Sequence, residues 1–376
     1  MSARDPRLVP PPIPVTGDEL GPDKVVLIRD ARAGLDAVVV VDNVACGPAI
    51  GGVRMAPDVT VSEVARLARA MTLKNAAAGL AHGGGKAGIV ADPVRAPADK
   101  ERLIRSLARA IRSLTEYIPG PDMGTDERCM AWITDEIGRA VGLPRVLGGI
   151  PLDEIGATGW GVAVAAEVAA PEAGLSLEGA RVAIEGFGAV GQHAARFLAA
   201  RGCRLVAASD TRGAIHDASG LPIDALIAHK RAGRPLGEFA GARVIGRETL
   251  IGVPCDIWIP AARPDTLTGD NVGALQAKLV VQGANIPATE EAERWMHTHR
   301  ILSLPDFIAN AGGVICAAVE YHGGTQSQAF AAIEERIRAN TRETLDRARA
   351  GGLLPREAAT RLARARVEEA MRYRQA

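Results

Sequence analysis

The stretch "EGFGAVGQ" spaces Gly186, Gly188 and Gly191 as GxGxxG between a strand-like run and a helix-like one, and the next strand-like run ends at Asp210, about 20 residues on. Glycines in such a turn admit a pyrophosphate to the free N–H groups and positive dipole end of the helix that follows. Gly186 to Gly191, with Phe187, Ala189 and Val190 between them, are therefore expected to hold a dinucleotide. Asp210 would accept hydrogen bonds from the adenosine ribose, which favours NAD; Arg212, two residues later, would instead meet a 2′-phosphate and admit NADP. Nicotinamide chemistry needs a hydride donor held in place, and the first half of the chain offers charged groups in glycine-rich surroundings. Lys74 sits in "MTLKNAAAGL", Lys86 follows Gly83, Gly84 and Gly85, and Arg54 shares "GPAIGGVRM" with Gly51, Gly52 and the aliphatic Ile50. A lysine flanked by "GGG" and "AG" implies a loop whose backbone approaches its ligand closely.

The elements that must position these groups follow from periodicity. "KVVLIRD" and "DAVVVVDNV" read as strands around the turn "ARAGL" and lead into the loop "GPAIGGVRM". Thr60 and Glu63 have capping-box spacing, and Val64, Leu67, Ala68 and Met71 recur at helical intervals. A helix carrying Lys74 is thus predicted to run to about Ala78, ending in the glycine loop "GLAHGGGKAG". A second amphipathic helix is predicted over "ADKERLIRSLARAIRSL", and "YIPGPDMGTDE" reads as turn from end to end. Beyond it, "RVAIE", "RLVAASD", "CDIWIP", "KLVVQGA" and "RILSLP" alternate with helix-like segments, the pattern of a parallel sheet covered by helices. The tail, "AFAAIEERIRANTRETLDRARA" and "REAATRLARARVEEAMRY", reads as helix with a solvated, arginine-bearing face.

Composition bounds the function. At 376 residues the chain exceeds the roughly 250 to 300 at which one core stops growing, so two domains are expected. Lys plus Arg equals Asp plus Glu at 44 each, so no basic field draws the protein to nucleic acid, and a small ligand is the expected partner. The five cysteines are scattered and form no CxxC pair, which argues against a disulfide framework and against a metal site. No apolar run reaches the roughly 18 to 20 residues of a membrane span, and the first 20 residues mix charges and prolines as a loose extension rather than a signal peptide. A cytoplasmic protein with no membrane partner is expected.

Seven stretches together carry a resemblance: "GPAIGGVRM", "MTLKNAAAGLAHGGGKAGI", "PGPDMGT", "ATGWGV", "EGFGAVG", "QGANIPAT" and "PDFIANAGGV". In this order, over about residues 25 to 320, the chain resembles the amino acid dehydrogenase family that contains the glutamate, leucine, phenylalanine and valine dehydrogenases. The resemblance implies an α/β fold of two domains. Residues 1–149 would form a substrate and oligomerisation domain with a mixed sheet, joined by the C-terminal helices over 335–376, and residues 150–334 would form a Rossmann domain. It further implies a homo-oligomer with the active site in the cleft between domains.

The roles follow from the same resemblance. Lys74 would bind the substrate α-carboxylate as a point charge. Lys86, its pKa lowered by neighbouring positive charge and partial burial, would be the general base that activates water against the imine, and Asp122 would shuttle the amino proton. Thr158 would meet the nicotinamide carboxamide while also capping a helix, and Asn285 and Asn310 would line the cleft beside cofactor and substrate. The implied reaction is reversible oxidative deamination to a 2-oxo acid and ammonia.

Substrate choice is read from departures. Glutamate dehydrogenases place a lysine before the "GG" that Ile50 precedes here, and a serine where this chain has Ala317; both hold the side-chain carboxylate of glutamate. Burying that carboxylate against Ile50 and Ala317 without a partner would cost several kcal/mol, on the order of 10³-fold in specificity. An apolar L-amino acid such as Leu, Phe, Met or Val is therefore expected, its pocket walled by Ile50, Gly120, Val314 and Ala317. The alternatives are glutamate held by an anchor elsewhere and a catalytically silent nucleotide-binding member.

Overall fold

The computed structural model describes residues 15–374. Two compact units emerge: the chain up to Thr72 with His82–Ala140, and Leu73–Ala81 with the chain from Val141 onward.

The first unit is built on a mixed sheet of β1 (Lys24–Asp30), β2 (Leu35–Asn43), β3 (Ala49–Ala56), β4 (Gly83–Val90) and β5 (Tyr117–Pro121), in the order β1-β2-β4-β3-β5. The β1–β2 and β2–β4 pairs are antiparallel, whereas β4, β3 and β5 run parallel to one another. Helices α1 (Val61–Ala77), α2 (Pro97–Ala110) and α3 (Glu127–Ile137) complete it, and α1 continues into the second unit. Val38 and Val40 of β2 pack with Val59, Val64 and Ala68 at and before the start of α1, fixing that helix over the sheet.

Here the structure corrects the sequence reading. "GPAIGGVRM" and "GGGKAG" are not loops, and "YIPGP" is not turn: all three are buried strands. The glycines serve close packing rather than turning. A Cβ on Gly51 would lie 1.6 Å from the Gly85 carbonyl oxygen, one on Gly84 2.0 Å from the Thr72 nitrogen of α1, and one on Gly88 2.5 Å from Val59. The capping box is only half formed, because Thr60 Oγ1 accepts from Glu63 N at 3.1 Å while the Glu63 carboxylate turns to Arg54. Most of the expected N-terminal extension lies outside the described residues, but Leu20 is buried at 1 % exposure and Asp18 pairs with Arg69 at 2.6 Å.

The second unit holds the alternating elements: α4 (Leu152–Ile155), α5 (Ala157–Ala169), β6 (Arg181–Glu185), α6 (Ala189–Ala199), β7 (Arg204–Asp210), β8 (Gly213–His216), α7 (Ile223–Arg231), β9 (Arg243–Ile245), β10 (Ile257–Pro260), β11 (Leu279–Val281), α8 (Glu290–Thr298) and β12 (Leu302–Leu304). After them come α9 (Asp306–Ala309), α10 (Gly312–Tyr321), α11 (Gln326–Gly351) and α12 (Pro355–Tyr373). The sheet order is β12-β11-β10-β6-β7-β8-β9. Its five predicted strands are parallel, and β8 and β9, too short to read in the sequence, add an antiparallel edge. This is the Rossmann arrangement, with β6 at the centre.

The C-terminal helices, expected to join the N-terminal half, cluster instead with the second unit. Ile337 of α11 occupies the space beside Gly161 of α5, and Arg338 reaches Glu167 of α5 at 2.9 Å. Nor is their charge simply solvated: Arg366 Nη1 donates to the Ala76 and Ala77 carbonyls, at 3.1 and 2.9 Å, at the end of α1. Among the described residues no helix is long and apolar enough to cross a membrane, and no cluster of three His, Cys, Asp or Glu could hold a metal.

Candidate active site

In the first unit the adjacent strands gather three charges. Lys86 lies on β4 opposite Val40 of β2, so its backbone is locked from the sheet interior. Asp122 follows β5, its turn tied to β3 by Thr125, whose hydroxyl accepts from Asp122 N at 3.0 Å and donates to the Val53 carbonyl at 2.7 Å. Lys86 Nζ stands 3.1 Å from Asp122 Oδ2, and Arg54 Nε of β3 donates to the same oxygen at 2.9 Å. Arg54 Nη1 also binds Glu63 Oε1 at 2.5 Å. Gly52 makes room for the group: a Cβ there would lie 2.7 Å from Asp122 Cβ and 3.2 Å from Lys86 Nζ.

Lys86 is buried at 6 % exposure. Burial pushes its pKa down, the Asp122 carboxylate pulls it up, and Arg54 pushes it down again, leaving it below the usual lysine range. Burial, more than the neighbouring positive charge, is thus the main cause. A lysine so held can be neutral when an ordinary one is charged, which general-base chemistry requires. Tyr117, fully buried, fixes the glycine pair of β3 by donating to the Gly51 carbonyl at 2.9 Å. Neither Thr125 nor Tyr117 was marked by the sequence as a site residue. Ile50 is 3 % exposed, and Gly120, opposite Gly52 on β5, is buried too. Lys74 is half-buried in the last turn of α1, in the Leu73–Ala81 span of the second unit.

In the second unit the GxGxxG glycines take three different roles. Gly186 has φ of 93°, and a Cβ on it would lie 2.7 Å from the Ala261 carbonyl. A Cβ on Gly191 would lie 2.2 Å from the Gly186 carbonyl oxygen, so it lets α6 pack on β6. Gly188, at the N-cap of α6, has nothing within 4 Å of its Cβ position and leaves the helix end open to a phosphate. Ala189 is exposed in the first turn of α6 and Val190 half-buried, but the Phe187 side chain is fully buried and its N–H donates to the Ser209 carbonyl at 2.6 Å. Phe187 therefore shapes the turn, its carbonyl accepting from Gln192 Nε2 at 3.0 Å.

The glycines open onto a pocket of about 790 Å³ between the ends of β6, β7 and β10, bordered by Asp210, Lys230, Arg231, Arg247 and Arg263. Asp210 Oδ1 accepts from Arg212 N at 2.8 Å; Oδ2 accepts from Leu236 N at 3.0 Å and pairs with Lys230. Burial raises the Asp210 pKa, but Lys230 and the two N–H groups outweigh it and hold the carboxyl below its ordinary value. One lone pair on Oδ1 stays free for a ribose hydroxyl. Arg212 turns away, donating to the Gly233 carbonyl at 2.8 Å, so the cations facing the pocket are ones the sequence did not single out.

The same unit joins Asn285 to Asn310 and sets the start of α10, which carries Val314, against Thr158. A Cβ on Gly312 would lie 2.0 Å from the Ala157 carbonyl oxygen and one on Gly313 3.2 Å from Thr158 Oγ1, so α5 and α10 start against each other. Thr158 is not the cap of α5; Gly156 holds that position. Asn310, 4 % exposed, donates through Nδ2 to Asn285 Oδ1 at 3.0 Å and to the Ala284 carbonyl at 3.2 Å, and its buried Oδ1 has no protein partner. Val314 is half-buried and Ala317, one turn along α10, is 7 % exposed.

Comparison with known proteins follows both units. Residues 148–375 match the family Glutamate/Leucine/Phenylalanine/Valine dehydrogenase, and residues 22–139 match its dimerisation domain. A glutamate dehydrogenase of Aeropyrum pernix is 38 % identical over 81 % of this chain and 77 % of its own. An NAD-specific glutamate dehydrogenase of Staphylococcus aureus is 38 % identical over 81 % of this chain and 76 % of its own. Among solved structures, the hetero-hexameric glutamate dehydrogenase of Thermus thermophilus in its Leu-bound form superposes with a TM-score of 0.82 at 32 % identity, covering 94 % of this chain and 90 % of that one. With a Rossmann unit behind a GxGxxG turn and a buried lysine on an aspartate, the chain belongs to the Glu/Leu/Phe/Val dehydrogenase family and is an NAD(P)-dependent amino acid dehydrogenase.

Proposed function

We propose that the chain catalyses reversible oxidative deamination of an apolar L-amino acid to its 2-oxo acid and ammonia. The observation that carries the substrate class is Ile50, an uncharged side chain buried at 3 % exposure; Ala317 likewise has no hydroxyl to offer a carboxylate. The bound nicotinamide supplies the hydride acceptor. Lys74 anchors the α-carboxylate, neutral Lys86 takes the proton of the water that adds to the substrate iminium, and Asp122 carries the proton of the amino group. The 3.1 Å contact between Lys86 Nζ and Asp122 Oδ2 supports direct proton exchange between them. Thr158 and Asn285 orient the carboxamide, and the unpartnered Asn310 Oδ1 fits an amide N–H donor.

The names of the relatives favour a second reading, glutamate held by a displaced anchor. Exchanging Ile50→Lys with Ala317→Ser distinguishes the two. On the proposed reading, kcat/KM for glutamate relative to leucine rises at least about ten-fold with Tm little changed. An unchanged ratio in a folded variant would mean that these positions do not meet the substrate side chain.

The cations at the pocket edge support use of NADP as well as NAD, because Lys230 offsets the Asp210 charge that would repel a 2′-phosphate. The match to a dimerisation domain supports assembly into a homo-oligomer, and the free thiols at Cys129, Cys203, Cys255 and Cys316 support a reducing, cytoplasmic setting.

A further inference from the structure

We propose that Arg356, in the first turn of α12, is a positioning residue that holds Asn285 and Asn310 in working geometry; the inference rests on the cofactor and substrate roles proposed for those two asparagines. Arg356 turns its guanidinium to three buried polar side chains, with hydrogen bonds to two of them and an ion pair to the third, whose Oδ1 has no hydrogen-bond partner. Nε donates to Glu293 Oε1 and Oε2 at 2.8 and 2.7 Å, Nη1 stands 2.9 Å from Asp306 Oδ1, and Nη2 donates to Gln282 Oε1 at 2.8 Å. Glu293 and Asp306 are each 5 % exposed and Gln282 is fully buried.

Its partners reach the asparagines in one further step. Asp306 Oδ2 accepts from Ile286 N at 2.9 Å, pinning the residue after Asn285 in a left-handed conformation, φ 49°, that a β-branched side chain rarely adopts. The Asp306 carbonyl accepts from Asn310 N at 2.7 Å. Gln282, at the end of β11, opens the segment that leads to Asn285 and is held by Glu293 at 2.7 Å and by Ser303 at 3.1 Å. One cation thus offsets two buried carboxylates; the Asp306 carboxylate holds the backbone beside Asn285, whose Oδ1 in turn accepts from Asn310 Nδ2. With the fork removed, Asp306 and Glu293 repel each other across a site that water reaches poorly, and the Asp306 braces are the bonds free to move. A lysine replaces the charge but not the planar, three-way fork.

The test uses the full-length protein with Arg356→Lys, Asn310→Ala and the double variant, following kcat and KM for the amino acid, binding of ADP-ribose, and Tm. ADP-ribose probes the adenylate half, which Asn285 and Asn310 do not meet. Arg356→Lys is expected to lower kcat roughly 10²-fold, the loss a displacement of about 1 Å causes, with ADP-ribose affinity within about two-fold of the unsubstituted protein. In the double variant it adds less than about three-fold to the loss from Asn310→Ala, because both act through one group. Should Arg356→Lys not fold, Asp306→Asn is expected to show the same split. If Asn310→Ala lowers turnover while Arg356→Lys stays within about three-fold of the unsubstituted protein, or loses ADP-ribose in proportion to kcat, the positioning role is overturned. If Asn310→Ala itself turns over normally, the reading of Asn310 falls and Arg356 with it.

Discussion

The two units each concentrate glycines beside chemistry, and they use them in opposite ways. In the first unit glycine removes space: β3 and β4 come together at Gly51 and α1 settles on β4 at Gly84, which buries Lys86 and depresses its pKa. In the second unit Gly186 and Gly191 also pack closely, but Gly188 leaves space: nothing lies within 4 Å of its Cβ position, and the end of α6 stays open. The same residue type therefore depresses a lysine pKa in one place and leaves a helix end open in the other. What decides between them is whether backbone or solvent lies where the missing side chain would project.

The largest effect expected belongs to the buried lysine. Lys86→Ala should lower kcat on the order of 10³-fold while ADP-ribose affinity is unchanged; near-normal turnover would remove Lys86 as the base. Gly51→Ala, driven 1.6 Å from the Gly85 carbonyl oxygen, should cost about 3 kcal/mol, read as a fall in Tm, and a stable variant would break the close-packing side of the comparison. Gly188→Ala should leave Tm unchanged and weaken cofactor binding about ten-fold, roughly 1.4 kcal/mol; the reverse pattern would show that Gly188 packs rather than opens. Lys230→Ala, freeing the Asp210 carboxylate, should shift preference from NADP toward NAD about ten-fold in kcat/KM.

The smallest effect sharpens the electrostatics. Arg54 shares Asp122 with Lys86 and pushes the Lys86 pKa down. In Arg54→Met the lysine keeps its proton to higher pH, so the rise of kcat/KM with pH should move upward. A midpoint that stays put, or moves down, would mean that Arg54 only braces the strand.

Much of this architecture was legible, for reasons that differ by region. Gly186, Gly188 and Gly191 could be read because strand, turn and helix are contiguous, and the five parallel strands because each is a local apolar run. β3, β4 and β5 were misread as loops because glycine carries no strand signal and the contacts that require it, Gly84 on Thr72 or Gly51 on Gly85, join residues distant in sequence. Lys86 and Asp122 gained roles only through family resemblance, since no spacing announces that a lysine on one strand meets an aspartate past another. Lys230 escaped notice because its ion pair with Asp210 depends on the path of α7. Arg356 was absorbed into a charged helical face, although it is bound to groups as distant in sequence as Gln282.

Selection of the substrate by an apolar side chain at Ile50 can be read from initial rates of cofactor reduction with L-leucine and L-glutamate at alkaline pH, compared as kcat/KM. Leucine should exceed glutamate by at least about 10²-fold. Faster turnover of glutamate would contradict it.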